Sequence, residues 1–349
     1  MMPPRGSGFV LVVVLWFLLA LTIAVTAMAA WVSRTVTEAT RIADHRELQI
    51  DHFSTLHTVK FLLTSHPSRA SGLYMGPNPQ DTARAWMLDP FADPRHTSGP
   101  ADLPLRDIPR RGLGSSIFSL QDEAGLINPN VLTLTEMGPL LEWIGVDRSQ
   151  SFAMARQFDD FTRRVRGLEL GPRAALDYEL AGLPPPPGRK LLSPLEALRI
   201  LGWHEHPELR QSVRWRDGVT VLHEDRININ SMPDWLLRVA PGMGGRVAAE
   251  YAAARRIQPV SGGLYLPEVP GTALDPFRYR AVPGEVMRLT LGNSITSHRT
   301  RYHVRLTPGA NRGSPWRVEL AYPMDFLVDE HSRDFVPPTP VAHRLLAAP

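Results

Sequence analysis

The residues that could do chemistry are few and scattered along the 349-residue chain. The segment Pro241-Gly-Met-Gly-Gly245 has the form of a glycine hairpin between two helices. Such hairpins bring the backbone amides of a helix N-terminus against a phosphate, which is how helix-hairpin-helix modules contact DNA. The residues that would make the contact are Gly242, Gly244, Gly245 and Arg246, with Arg255 adding charge. Alternatively, the glycines only allow a tight turn between packed helices.

Four short groups of histidine and acidic residues invite a metal-site hypothesis. They are His204-Glu-His206, His223-Glu-Asp225, Gln121-Asp-Glu123 and Asp159-Asp160. Neither histidine group has the i, i+4 spacing of a helical zinc site, and no third partner is evident. No EF-hand-like loop accompanies the acidic pairs. We therefore assign no metal ligand and expect these side chains to be solvated.

Composition excludes several kinds of protein. The chain has no cysteine, so it has no disulfide, no thiolate catalysis and no cysteine zinc site. Its net charge of +3 does not demand a nucleic-acid partner. A phosphate loop, a G-x-S-x-G elbow and an H-E-x-x-H helix are all missing from the sequence. These observations predict a protein that is not an enzyme.

The N-terminal quarter contains the strongest pattern. Residues from Phe9 to Ser33 carry no charged side chain. This uncharged run is long enough to form a membrane-spanning helix. Beyond Arg34 the apolar residues recur every three or four positions up to about Thr64, and Pro67 is the first helix breaker. This predicts one helix about 80 Å long. Three alternatives are a signal peptide removed after Ala29, a plain anchor, and a prepilin-type segment cut between Gly8 and Phe9. The unbroken helix disfavours the first of them.

The rest of the chain predicts a mixture of loops, short helices and strands. Residues 66–109 are rich in proline and glycine, which indicates long loops with at most one short strand. A hydroxyl three residues before a carboxylate marks three expected helix starts, at Thr133, Ser193 and Ser231. Residues 116–125 are expected to be an extended segment that ends in a turn. The expected strands are 285–291, 301–306 and 316–320, which form an antiparallel meander.

Taken in order, several motifs resemble the minor pseudopilin K family of type II secretion (general secretion pathway protein K). The first is Gly8-Phe9 with its apolar run, and the second is Asp122-Glu-Ala-Gly-Leu-Ile-Asn-Pro-Asn130. The others are Asp177-Tyr-Glu-Leu-Ala-Gly-Leu-Pro-Pro186 leading to Ser193-Pro-Leu-Glu, and Ile227-Asn-Ile-Asn-Ser-Met-Pro-Asp-Trp-Leu236 with the glycine hairpin. Most pilins carry glutamate five residues after the cut, where this chain has Val13. Loss of that glutamate is typical of the K subunit.

The resemblance implies an α+β fold in which a type IV pilin-like long N-terminal helix packs on an antiparallel sheet. It also implies a large inserted helical domain, similar to SAM or helix-hairpin-helix domains. The expected division is a leader at 1–8, a stem helix at 9–65 and the first part of the head at 66–130. Next come the inserted domain at 131–225, the hairpin and β part at 226–325 and a tail at 326–349.

The function implied is that of a minor pseudopilin at the tip of a periplasmic pseudopilus. Such a protein is cut by prepilin peptidase after Gly8, methylated at Phe9, and anchored in inner-membrane lipid with its head in the periplasm. Its partners would be the I and J minor pseudopilins, with no small-molecule substrate. Relatives can bind calcium, but the family's acid-rich stretch is reduced here to Asp159 and Asp160, so the ligands are unknown. The alternative is a membrane-anchored DNA receptor that uses the hairpin, although the modest charge makes nucleic acid the less expected partner.

Overall fold

A computed structural model describes most of the stem, the head and the insert. The described residues are 7–66, 68–70, 72–75, 103–162, 172–206, 209, 213–223, 226–257, 275, 277–293, 299–307, 313–324 and 345–346. The first element is a single α-helix of 59 residues, α1 (Ser7–Ser65). The predicted unbroken helix is therefore confirmed. Most of the predicted leader and most of the predicted tail lie outside the described residues.

The upper part of α1 packs on the sheet because its apolar residues fall on one face. Leu56, Val59, Leu62 and Leu63 are buried at spacings of three and four. They share a core cluster with residues from the facing side of the sheet, namely Phe118, Leu120, Met287, Leu289 and Leu291. The helix and the sheet thus form one two-layer unit.

The main sheet consists of the strands β4 (Arg110–Arg111), β5 (Ser116–Asp122), β8 (Val286–Asn293), β9 (Arg299–Leu306) and β10 (Trp316–Met324). It is antiparallel, and its five strands lie in the order β10-β9-β8-β5-β4. The predicted meander is confirmed as β8-β9-β10. Because Asp122 pairs with Met287, the chain leaves the sheet after β5 and returns beside the same point at β8.

We call the segment between β5 and β8 the insert. Its described residues are mostly helical and have their own hydrophobic core. Its α-helices are α2 (Leu134–Ile144), α3 (Arg148–Thr162), α4 (Pro172–Leu180), α5 (Val213–Gly218) and α6 (Gly245–Ile257). A parallel pair, β6 (Ile227–Asn228) and β7 (Tyr279–Arg280), lies within it. One hydrophobic cluster runs from Leu126 to Tyr279. The predicted α+β architecture with an inserted helical part is thus confirmed, while the exact domain borders remain predictions.

Three local predictions need correction. Thr133 and Glu136 do form a capping box at α2 as expected, but Ser193 starts only a 3-10 helix, Pro194–Arg199. Ser231 starts no helix: turns follow it, and the next helical element is a single 3-10 turn, Leu237–Val239. The region expected to hold at most one short strand has β1 (Ser68–Arg69), β2 (Gly72–Leu73) and β3 (Leu103–Pro104), which form a small sheet.

Candidate functional site

The lower half of α1 is the first candidate, because it exposes an apolar surface on every side. Its most hydrophobic 18-residue window has a mean hydropathy of 2.8 and none of it is buried, so the helix is long and apolar enough to cross a membrane. Gly8 and Phe9 lie in the first turn of the helix. Val13 is 43% exposed, as part of this uncovered surface. Such a surface is stable only in lipid or against other apolar helices.

The loop between β4 and β5 fastens the sheet to the stem through polar contacts. The Asp51 carboxylate accepts hydrogen bonds from the Ser115 amide (2.8 Å) and the Ser115 hydroxyl (3.0 Å). One turn higher, the Thr55 hydroxyl accepts from the Leu113 amide (2.9 Å). Gly114 makes this approach possible, since its φ of +54° suits glycine and leaves room for the Asp51 carboxylate.

We expect Gly114→Ala to lower the free energy of unfolding by about 1–3 kcal/mol, because alanine is strained at a positive φ. Its Cβ would also lie 2.1 Å from Asp51 Oδ2. The matched control is Gly244→Ala, whose Cβ would meet nothing within 4 Å. Urea unfolding of the full-length chain in detergent measures both variants. Equal stability of the two variants would show that the loop does not depend on this approach.

The junction between the sheet and the insert is held by the carboxylate of Asp122, which is fully buried. Its Oδ1 accepts from the Ala124 amide (3.0 Å) and the Gly284 amide (3.0 Å). Its Oδ2 accepts from Asn228 Nδ2 (2.8 Å) and the Ser231 hydroxyl (2.7 Å). This one side chain thereby connects three segments. They are the end of β5 at Ala124, the middle of the insert at Asn228 and Ser231, and the start of β8 at Gly284.

Glu123 begins a buried network of charges on the insert side of the sheet. His303 Nδ1 lies 2.7 Å from Glu123 Oε1, and both side chains are buried. Burial alone raises the pKa of Glu123, but the hydrogen bond and charge of His303, together with the charge of Arg288, bring it down to about 2. Glu123 is thus an ionised side chain that fixes a strand, β9, against the start of the insert.

Arg301 and Asp217 form the second part of this network, and both side chains are 2% exposed. Arg301 donates to Asp217 Oδ1 (2.8 Å), to the Arg216 carbonyl (3.1 Å) and to the Thr290 hydroxyl (3.3 Å). Burial opposes the charge of Arg301, but the negative charge of Asp217 outweighs it and raises the pKa. The pair connects α5 of the insert to the sheet and was not identified from the sequence.

The two Asn-x-Asn sequences play the structural role expected of them. Asn128 Oδ1 accepts from the Asn130 amide and Asn228 Oδ1 accepts from the Asn230 amide, each at 3.0 Å. Asn130 also exchanges two hydrogen bonds with the backbone of Leu191. Each asparagine pair therefore fixes the conformation of a turn within the insert.

The glycine hairpin is exposed, but only part of the predicted DNA contact lies on the surface. Gly242 has a φ of +75°, and a Cβ added at Gly242, Gly244 or Gly245 would meet nothing within 4 Å. Arg246 is exposed and lies 3.7 Å from Glu250. Arg255 is 4% exposed, donates to the Ile229 carbonyl and pairs with Asp234, so it is unavailable to a phosphate. Arg246 is thus left as the exposed cation of the predicted contact.

The candidate metal ligands are not brought together. Among the described residues no three His, Asp or Glu side chains are placed to hold a metal ion. His223 donates through Nε2 to the Leu126 carbonyl (3.2 Å), while Glu224 and Asp225 lie outside the described residues. The same holds for the side chain of His204. Asp122 and Glu123 are engaged in the junction instead of facing solvent as expected, and Asp160 is exposed.

Neither a protein-family model nor a curated protein matches the chain. Among solved structures, the chain is similar to one from the crystal structure of the GspK-GspI-GspJ complex of the enterotoxigenic Escherichia coli type 2 secretion system. The similarity covers 84% of this chain and 99% of that chain, at 13% identity and a TM-score of 0.45.

Proposed function

We propose that the chain is a minor pseudopilin of the K type, anchored in the inner membrane by the lower half of α1 with its head in the periplasm. The observation that carries the proposal is the form of α1: one helix, apolar and uncovered below, docked on an antiparallel sheet above. A soluble protein would bury such an apolar surface. A plain membrane anchor would not require the same helix to continue out of the membrane and pack on the sheet of the head. The charge-free run beginning directly after Gly8 agrees with processing at that bond.

Val13 supports a position at the tip of the pseudopilus. A glutamate at this place in an apolar helix bundle is costly unless a charged group of a neighbour compensates it. In a filament the compensating group is the N-terminal amine of the next subunit, and the first subunit has no such neighbour. A valine at position 13 avoids an unpaired buried carboxylate. We infer that the chain joins the I and J minor pseudopilins in starting the pseudopilus, and so takes part in export of folded proteins across the outer membrane.

Processing tests this proposal directly. Prepilin peptidase is expected to cut between Gly8 and Phe9 and to methylate the new N-terminus, so the mature chain should begin at N-methyl-Phe9. The bond lies in the first turn of α1, where the amides lack intrahelical partners and the helix opens most readily. Mass spectrometry of the intact protein from membranes measures the start.

The control is Gly8→Val, which should keep the leader on the chain because the added side chain blocks the peptidase. A wild-type protein that retains Met1 would contradict processing. A start at Ala30 would instead identify a secretory signal peptide.

A further inference from the structure

Three side chains from distant parts of the insert meet at its surface and form a stack. They are Trp143 at the end of α2, Arg214 in α5, and Trp235 in the turn before the 3-10 helix Leu237–Val239. The two indole rings are nearly parallel, with an interplanar angle of 7° and centroids 5.1 Å apart. The Arg214 guanidinium lies over the Trp143 ring, 5.1 Å from its centroid, and donates to the Trp143 carbonyl. We call these three residues the tryptophan platform.

The tryptophan platform differs from the tryptophans in the core of the insert. Trp203 and Trp215 are buried, and their indole N–H groups donate to backbone carbonyls. Trp235 is 39% exposed and Trp143 is half-buried. In the described part of the chain, neither of these two indole N–H groups has a hydrogen-bond partner. Large aromatic rings with unused donors at a surface indicate a place where a ligand binds.

The geometry of the stack favours a flat ligand. Because the Trp143 and Trp235 rings are stacked on each other, no slot is left between them. Proline-rich peptides bind in grooves between aromatic side chains, so this arrangement does not suit them. A sugar ring does suit it, since the polarised C–H groups on one side of a hexose pack against the electron-rich face of an indole. The sugar hydroxyls would accept from the indole N–H groups, which can only donate.

The charges around the tryptophan platform distinguish a glycan from a nucleic acid, whose bases also stack on aromatic rings. A nucleic acid carries a phosphate on every nucleotide and is bound by surfaces rich in cations. Here an acidic residue precedes each tryptophan in the chain, Glu142 before Trp143 and Asp234 before Trp235. Arg214 is exposed, and no carboxylate in the described part of the chain lies within ion-pair distance of it. One such guanidinium beside acidic residues suits isolated carboxylates better than a polyphosphate.

We propose that the tryptophan platform binds a glycan whose sugars carry carboxyl groups, with a sugar ring stacked on Trp235 and a carboxylate paired with Arg214. The inference goes beyond the proposed function and takes from it only the periplasmic position of the head. That position places the platform in the compartment of the cell-wall glycan. The muramic acid units of this glycan carry carboxyl groups on their substituents, which matches the unpaired guanidinium. The head would then contact the cell wall as well as its protein partners.

Calorimetric titration of the full-length chain tests the inference. The detergent must have no sugar headgroup, so that it does not compete with the probes. The first probe is a cell-wall tetrasaccharide with the free carboxyl groups of its muramic acid units, and the second is chitotetraose, which is neutral. We expect the acidic tetrasaccharide to bind more tightly. Trp235→Ala should weaken the binding of both about tenfold or more, because stacking is lost. Trp235→Phe keeps a ring but no N–H donor and should give an intermediate affinity.

Two further variants separate ligand binding from general effects. Arg214→Met removes the guanidinium and should reduce the affinity for the acidic tetrasaccharide to that for chitotetraose. Phe152→Ala is the matched control, since it removes an aromatic ring that is 58% exposed on α3, and it should leave both affinities unchanged. Trp235 packs against Gly218, so melting temperatures are compared for all variants. If Trp235→Ala does not fold, Trp235→Phe and Arg214→Met still decide the result.

Several results would overturn the inference. The wild type would bind neither glycan, or the Trp235 and Arg214 variants would bind both glycans as the wild type does. Tighter binding of an oligothymidylate or of a proline-rich peptide, lost in the Trp235 variants, would assign the tryptophan platform to that ligand instead. Equal affinity of the wild type for the two glycans would exclude the pairing of a carboxylate with Arg214. The start of the mature chain tests the proposed function separately, so the two proposals can fail independently.

Discussion

Asp122→Asn is expected to lower the free energy of unfolding by about 3–5 kcal/mol, although the change replaces one oxygen by an NH2 group of the same size. The carboxylate accepts four hydrogen bonds, two on each oxygen, from Ala124, Gly284, Asn228 and Ser231. An asparagine has one acceptor oxygen, so two buried donors lose their partner and face another donor. Each unsatisfied buried group costs about 1–3 kcal/mol, and bonds to an ionised acceptor are the stronger ones.

Urea unfolding of the full-length chain in detergent measures the effect, and hydrogen exchange locates it. The amides of Ala124 and Gly284 should lose protection, since both donate to Asp122. Ser231→Ala removes a single donor and should cost less than Asp122→Asn. Asp160→Asn, on the exposed side of α3, serves as the matched control and should leave stability unchanged. Equal effects of Asp122→Asn and Asp160→Asn would mean that the junction does not hold the insert.

The features that the sequence predicts well are those determined by neighbouring residues. The helix from Ser7 to Ser65 follows from an unbroken apolar and then amphipathic pattern, and β8, β9 and β10 follow from alternation along each strand. The capping box of Thr133 and Glu136 is also local. In each case the determining side chains lie within a few residues of one another, so their spacing alone carries the information.

Ser193 and Ser231 show where local signals mislead. A hydroxyl three residues before a carboxylate provides hydrogen-bond acceptors for the free backbone amides of a first helical turn. It does not determine whether further turns follow. The helix that Ser193 starts ends at Arg199, because the backbone of Ile200 is extended (ψ 133°) and its side chain is buried in the core of the insert. The Ser231 hydroxyl donates to Asp122, more than a hundred residues earlier in the chain, so a contact that is distant in the sequence determines where this side chain lies.

The charges on the insert side of the sheet escape prediction for a related reason. Arg288 and Thr290 on β8, and Arg301 and His303 on β9, alternate with apolar residues, which is the pattern of a strand with one face in water. In the folded protein the insert covers that face and buries all four. Their partners, Asp217 and Glu123, lie far away in the sequence. The sequence indicates only that a polar face of the sheet accompanies a long insertion that could cover it. It does not indicate which residue of the insert pairs with which residue of the sheet.

The Arg301–Asp217 pair should be the other large determinant of how firmly the insert is held. Arg301→Met is expected to lower the free energy of unfolding by about 3–5 kcal/mol, because it leaves a carboxylate that is 2% exposed without its strongest partner. The Arg216 and Thr290 groups that Arg301 contacts would lose hydrogen bonds as well. Asp217→Leu should cost a similar amount, since the buried guanidinium then loses its ion pair.

The double variant Arg301→Met/Asp217→Leu decides whether the pair matters for stability or for placement. Hydrophobic side chains of similar volume often replace a buried ion pair with little loss, so the double variant should be more stable than either single variant. Urea unfolding of all four proteins gives the coupling free energy, which should exceed the effect of either single variant and so be at least about 3–5 kcal/mol. Simple addition of the two single effects would show that the residues act independently. If the double variant recovers stability but loses the export activity that we propose for this chain, the pair's main role is to set the position of the insert on the sheet.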